Sequence, residues 1–413
     1  MKINIIGAGM SGLYAGYLLS KSGIDCELFE ASHRSGGRVY SHIVNDHRFV
    51  ELGAELVYAP QGPLMKSLDK LSDPVCTFNG ESYYFYQDQL VSGNNLKLFS
   101  GLREFLQEID ELEDYDDQEI SLLDYFQTQN YYTPEMANLL EAFACEYGTT
   151  AEKLGLKNLA LEESRWSGGD DEFYTLSPMQ RISDYYQNKI KGNIRYNTII
   201  KKIIYAANQV IIIDDQDHEY ISDKVIVSVS LGVLKAGDIS FSPALPTDKQ
   251  QAIQRIGIDA GIKVILIFTE QWWPDDLSTV EGGNACFEFL ATKKYKLPTL
   301  TCFIMGRMTQ GLHSLSSKQL GELLTGDLDN MFGHGKASKT LSEVYFKDWG
   351  EDIFHKGAYS FPTEHSHGMR DVLAKPVDEK LYFMGEACNV NGHAASVHGA
   401  METAERVCLQ ISQ

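Results

Sequence analysis

Apolar positions along the chain follow two rhythms, one with a period near 2 and one near 3.6, and the switches between them mark the elements. Ile3, Ile5 and Ile6 make a short strand that runs straight into three glycines, Gly7, Gly9 and Gly12. Beyond them Leu13, Tyr14, Leu18 and Leu19 recur at helical spacing, Ala15 and Gly16 are small enough for close packing, and Gly23 ends the helix. Residues 24–29 form a second strand with Glu30 at its end. The same order returns at the far end of the chain. A strand over 380–384 leads to a turn at Gly385-Glu386-Ala387. A helix over 396–411 then places Val397, Ala400, Ala404, Val407 and Ile411 on one face.

Between these ends the pattern changes twice. Strands are expected within 83–90, then helices over 96–112, 122–127, 135–145 and 151–161, with a loop at 170–174. Strands resume over 194–204, 209–214, 224–229, 261–268, 300–304 and 341–346. The strand over 261–268 is apolar apart from Lys263, and Trp272-Trp273 follows it. An ammonium there is costly unless it has a partner or loses its proton. The alternative is a strand-edge lysine whose head reaches solvent.

Strand, Gly-x-Gly-x-x-Gly, helix, second strand and terminal acid in that order describe a dinucleotide-binding unit. Gly7 allows the tight turn, Gly9 admits backbone close to a pyrophosphate, and Gly12 lets helix and strand pack closely. Ser11 lies in the same turn, and Glu30 is placed to accept from a ribose. The next loop, Arg34-Ser-Gly36-Gly37-Arg38, offers two arginines and close backbone approach for phosphate. Gly53, Ala54 and Glu55 form a small-residue turn suited to a flat ring. These distant segments, with Gly385, Glu386, Ser396 and Val397, give the reach that FAD requires and a nicotinamide nucleotide does not. A second glycine fingerprint for NADPH is missing from the sequence, which favours reoxidation by dioxygen or another acceptor.

The expected fold class is therefore α/β: a discontinuous Rossmann-like FAD-binding domain with a second α+β substrate domain bearing a helical cap. The first takes residues 1–79, 176–240 and 356–413, and the second takes 80–175 and 241–355. A length of 413 residues fits two domains. An apolar content of 43 % with 23 % charged residues fits a globular protein, and no apolar run is long enough to span a membrane. The fingerprint begins at residue 1, so no leader is expected, and the seven scattered cysteines suit a reducing compartment. The expected location is cytoplasmic. A net charge of -21 argues against nucleic acid and anionic membranes and favours cationic small molecules. The acidic run over 108–119 reads as a solvated helix end and loop. His365 and His367 lack partners for a metal site, and none is expected. His398 reads as a packing residue at the start of the last helix.

Taken together, these motifs resemble the flavin-containing amine oxidase family, which includes monoamine, polyamine and L-amino-acid oxidases. Gly7–Gly12 with Glu30, Arg34–Arg38, Gly53-Ala54, 225–234 with 241–246, Lys263 with Trp272-Trp273, Trp349 with 357–360, and 383–387 with the last helix carry the likeness. The resemblance implies FAD, hydride removal from the carbon beside an amine nitrogen to flavin N5, imine hydrolysis, and transfer of electrons to dioxygen with release of hydrogen peroxide. Lys263 matches the lysine that holds a water near N5, and Ile200 and Trp349 join the expected cofactor contacts. The family's covalent members attach flavin through the cysteine of a Gly-Cys-Tyr run. The matching residues are Gly357-Ala358-Tyr359, so noncovalent FAD is expected. Tyr359 matches one of two aromatic rings that enclose the amine, while Ser396 falls at the second, which implies a roomier pocket. Two alternatives stand beside an amine oxidase: a flavin desaturase or protoporphyrinogen-oxidase-like enzyme, and a catalytically silent FAD-binding protein.

Overall fold

The computed structural model describes residues 1–45, 48–206 and 208–412, with the side chains of Glu113 and Asp114 also outside the description. A five-stranded parallel sheet is drawn from widely separated segments. Its order is Ile194–Arg195, Asp25–Phe29, Lys2–Ile6, Lys224–Val227 and Leu381–Phe383. Strands covered on both faces have to be apolar throughout, and Ile3, Ile5, Leu28, Val225, Ile226 and Leu381 are all fully buried. One face carries the helices Met10–Lys21 and Val397–Ser412, packed side by side over Leu13, Ala15, Met401 and Ala404. Tyr14 fixes that pair by donating to Glu405 at 2.8 Å. A four-stranded sheet built on Ile200–Ile204, Val210–Asp214, Glu219–Ser222 and Ser240–Ser242 covers the other face through Ile203, Val210 and Ile212.

A second, seven-stranded sheet runs in the order Leu341–Asp348, Gly261–Phe268, Thr299–Met305, Glu288–Leu290, Leu277–Glu281, Glu81–Tyr86 and Gln89–Ser92. Helices Ser100–Asp110, Leu122–Gln127, Ala137–Glu146 and Leu156–Glu163 stand beside it on their own apolar cluster, centred on Phe105, Phe126 and Leu140.

Three expectations are corrected. Residues 194–204 are not one strand: Ile194–Arg195 ends in the parallel sheet, and Ile200–Ile204 enters the four-stranded one. The segment read as a loop contains the strand Glu172–Thr175, which pairs with Val75–Phe78 and Leu56–Val57. The helix expected over 151–161 runs Leu156–Glu163 instead. The acidic run forms the end of Ser100–Asp110 and a 3-10 turn, with Asp116, Asp117 and Glu119 exposed beyond it.

Glycine is dictated sterically at two positions of the first strand–helix connection. Gly7 has φ of +103°, and a Cβ on Gly12 would lie 2.1 Å from the Gly7 carbonyl oxygen. Gly12→Ala is therefore expected to destabilise the fold by about 1–3 kcal/mol. Gly326→Ala, in the exposed middle of helix Ser317–Phe332 with nothing near its Cβ, should add about 0.5–1 kcal/mol. Urea titration of the two variants reads both effects, and equal stability would refute the steric account.

Candidate functional site

One connected cavity of about 1120 Å³ extends from the glycine turn to the inner side of the seven-stranded sheet. That exceeds the roughly 300–1,000 Å³ usual for a small-molecule pocket. Gly7, Gly9, Ser11, Glu30, Gly37, Arg38, Gly53, Ala54, Glu55, Ile200, Trp349, Gly385, Glu386, Ser396 and Val397 line it, as do Lys263 and Tyr359. Two expected contacts stand away from it. Gly12 is sealed behind Gly7. Arg34 stacks over Tyr40 at 4.3 Å and donates to the carbonyls of Ser35, Gly37 and Val39 at 3.2, 2.7 and 3.2 Å. Its guanidinium shapes its own loop, whose inward carbonyls need donors, so it does not face a phosphate.

At the glycine end Glu30 braces the turn. It accepts from the Ala8 N–H at 2.7 Å and from the Ser32 N–H and hydroxyl at 2.9 and 2.7 Å. The first N–H groups of helix Met10–Lys21 have no acceptor within the helix and carry its positive end. A Cβ built on Gly9 or on Gly385 would meet nothing nearer than 4.0 Å, so both positions leave clear space on the cavity wall. Open glycines, a helix N-terminus and an acid at the second strand's end are the donor set and shape that a flavin dinucleotide requires. The residues present fit that group.

Glu386 ties the far loops together. Arg38 donates to it at 2.9 Å, the Ser360 hydroxyl at 2.6 Å and the Ala395 N–H at 3.1 Å. Burial alone would raise its carboxyl, but Arg38 and Ser360 outweigh it and hold the group below the usual carboxylate range. Trp349 is buried and donates its indole N–H to Leu52 at 2.9 Å, which fixes the wall beside Gly53.

Lys263 sits on a central strand, flanked by Leu341–Asp348 and Thr299–Met305, and only 2 % of its side chain is exposed. The edge-lysine alternative is thereby excluded. Its ammonium lies 2.7 Å from Glu55 and donates to the Gly53 carbonyl at 2.8 Å. Burial pulls the lysine below its ordinary value and Glu55 opposes the shift. Burial also acts to raise Glu55, but Lys263 and Lys294 prevail and keep it ionised. Glu55 accepts in addition from Thr292 at 3.0 Å and Tyr295 at 2.9 Å. Sequence reasoning placed Glu55 beside the cofactor and missed that it is the partner of Lys263. A second buried pair, Lys294–Glu51 at 3.0 Å, adjoins the first through Tyr295, which accepts from the Glu51 N–H at 3.1 Å.

Tyr359 lines the cavity with its hydroxyl donating to the Glu146 and Cys145 carbonyls at 3.1 and 3.3 Å. Gly148 makes room for that ring, because a Cβ there would stand 2.5 Å from it. Ser396 caps the last helix: its hydroxyl accepts from the Gly399 N–H at 3.0 Å and donates to the His393 carbonyl at 2.7 Å. It was expected among the reacting groups; its hydroxyl is committed to the backbone. Near it Trp166 packs edge-on against His393 and His398, with Tyr58 beyond.

Four carboxylates line the cavity: Glu146, Glu281 and Glu288, which were not singled out from the sequence, and Glu172, which was read only as part of a loop. Glu281 and Glu288 are directly opposed across neighbouring antiparallel strands, where like charges repel. None of the four forms an ion pair among the described residues. Burial raises all four: Glu281 reaches about 7, Glu146 about 8 with added repulsion from Glu281 and Glu172, and Glu288 goes well above the ordinary value. Glu146 is enclosed by protein yet open to the cavity itself. For Glu281 and Glu288 the only sequence signal was a lone acid on each of two otherwise unremarkable short strands.

Residues 10–412 match the family model for flavin containing amine oxidoreductase. The chain belongs to that family. It is an oxidoreductase acting on amines, with a flavin cofactor. Among its relatives is Polyamine oxidase 2 of Arabidopsis thaliana, 27 % identical over 97 % of this chain and 85 % of that protein. Another is the Arabidopsis Lysine-specific histone demethylase 1 homolog 3, 25 % identical over 99 % of this chain but 30 % of that longer protein. The fold is that of wild-type putrescine oxidase bound to putrescine, at TM-score 0.84 and 21 % identity over 100 % and 99 % of the two chains. Cyclohexylamine oxidase from Brevibacterium oxydans IH-35A gives 0.83 at 17 % identity over the same shares. Among the described residues no helix is long and apolar enough to cross a membrane.

Removing one partner of a buried pair strands the other charge. Glu55→Gln is thus expected to cost about 3–5 kcal/mol of stability, and the double variant Glu55→Leu/Lys263→Met to recover most of it. Denaturant melts of single and double variants test this, and additive losses would contradict it.

Proposed function

We propose that the protein is an FAD-dependent oxidase of di- and polyamines. The four unpaired carboxylates in one cavity carry this reading, since such a cluster is unfavourable until a polycation occupies it. Residues of 1–79, 176–240 and 356–413 hold most of the noncovalently bound dinucleotide, and those of 80–175 and 241–355, with Tyr58 and Tyr359, hold the amine. Ala358 offers no sulfur for attachment ahead of Tyr359. The flavin supplies two-electron oxidation of the carbon next to the amine nitrogen, dioxygen then taking the electrons to give hydrogen peroxide as the imine hydrolyses.

The chain's own groups divide the remaining work. Lys263, held by Glu55 and Gly53, fixes a proton donor on the inner wall. Tyr359 offers an aromatic face to the amine, and Trp166 and Tyr58 extend the apolar lining. Glu146, Glu172, Glu281 and Glu288 bind the charged nitrogens, and those with raised values accept the proton that the reacting ammonium must lose. A hydrophobic substrate oxidised at a C–C or ring C–N bond has no use for this charge, which favours the amine reading over a desaturase or protoporphyrinogen-oxidase-like enzyme.

Glu288→Gln should raise KM for putrescine or spermidine about 10–100-fold, the effect of losing one charged hydrogen bond of about 1.5–3 kcal/mol. Its effect on a simple monoamine should be small. A peroxide-coupled assay with both substrate types decides, and equal losses would refute the assignment.

The carboxylates also set a pH dependence. Their folded values lie above the unfolded one, so the ligand-free protein loses stability as pH rises toward and through about 7 and 8. Over the same window the cavity gains negative charge. The rise in Tm produced by spermidine should therefore grow between about pH 6 and pH 8. A constant or shrinking rise would show that these groups do not meet the ligand.

A further inference from the structure

The last helix opens with His398 and Glu402 one turn apart, so both side chains lie on the same face. His393 folds back over them from the preceding loop. Gly399 permits that approach, because a Cβ there would stand 1.7 Å from the His393 carbonyl oxygen. One nitrogen from each imidazole and one Glu402 oxygen all lie within 4.8 Å of one another. The two rings are 4.9 Å apart between centroids.

Each group already has an orienting partner except at one atom. Glu402 accepts from Asn389 at 2.9 Å, and both its oxygens lie 2.9 Å from His393 Nδ1. His393 Nε2 faces the Ser167 N–H at 3.2 Å and the Ser167 hydroxyl at 3.1 Å. His398 is 0 % exposed, its Nε2 is 3.5 Å from the Ser396 hydroxyl, and its Nδ1 has no partner. A fully buried imidazole nitrogen without a protein partner is one that a water or an ion would satisfy.

We propose that His393, His398 and Glu402 form a binding site for a divalent transition-metal ion of the zinc class. Two imidazoles and one carboxylate are a preferred donor set for such an ion, with ligand atoms about 2.0–2.2 Å from it. Small side-chain rotations bring the three donors in from their present spacing. Binding through His393 Nδ1 moves that ring's proton to Nε2, where the Ser167 hydroxyl turns to accept it and the Ser167 N–H gives up its 3.2 Å contact with that nitrogen, so the ring stays neutral and nothing is oxidised or reduced. Asn389 and Ser167 serve as the outer partners that hold ligand orientation. Trp166, edge-on to both rings, keeps that side dry. Ala394, Ser396 and His398 also line the cavity, so the site adjoins it. The ion would clamp the first turn of the last helix to the 389–393 loop and to Ser167.

The test uses the flavin-loaded protein, stripped with a chelator and titrated with Zn2+ by calorimetry, with elemental analysis after gel filtration. One equivalent of Zn2+ per chain is expected. Co2+ in its place should give the intense ligand-field bands of a tetrahedral site. Glu402→Gln and His393→Asn should each weaken Zn2+ binding at least about 10-fold. Retained flavin absorbance shows that a variant is folded, and His393→Asn stands in if Glu402→Gln is not. Failure of the wild-type protein to take up one equivalent overturns the proposal. So does wild-type affinity in the folded variants.

Discussion

The 2.7 Å pair between Lys263 and Glu55 is the contact on which the rest of the cavity depends. It joins the small-residue turn beside the nucleotide sheet to the centre of the seven-stranded sheet. Taking both charges out of water is expensive, and only their mutual approach with added hydrogen bonds offsets it. Gly53, Thr292 and Tyr295 supply those bonds, and Tyr295 passes the arrangement on to Glu51 and Lys294. The turn and the seven-stranded sheet are therefore registered by charge as well as by the packing of Val50 and Leu52 against Ile265 and Ile267. A lysine held this way cannot swing, and a cavity wall that cannot swing keeps its groups at fixed separations.

The same chain places charge for the opposite purpose a short distance away. Glu281 and Glu288 face each other across a strand pair with no cation between them among the described residues. One set of buried charges is complete within the protein and serves architecture. The other has no cation partner among the described residues, and under the proposed function it serves recognition. The acidic run over 108–119 contributes to neither, since its exposed acids lie away from the cavity.

Local signals read well and pairing between distant residues did not. The glycine turn, both flanking strands, the last helix and the anomaly of Lys263 were all legible, because each rests on spacing within a few residues. Burial of Lys263 follows from the apolar run around it. Its partner could not be found that way, since Glu55 lies about two hundred positions earlier and looks like any acid in a turn. Arg34 and Ser396 show the converse: the residue types suggested ligand contacts, but local backbone groups claimed them first. Residues 194–204 read as one strand because nothing in hydrophobicity marks a change of sheet.

The parallel sheet takes its middle strand from residue 2 onward and its last strand from residue 381, and the first helix packs against the final one. On the ribosome the apolar face of Met10–Lys21 therefore stays uncovered until residues 381–411 have been made. The glycine turn exists early, but the wall of Gly385 and Val397 that completes its pocket is made last. Assembly must wait for that distant segment, so a product truncated before residue 381 retains much of the sequence and none of the closed pocket.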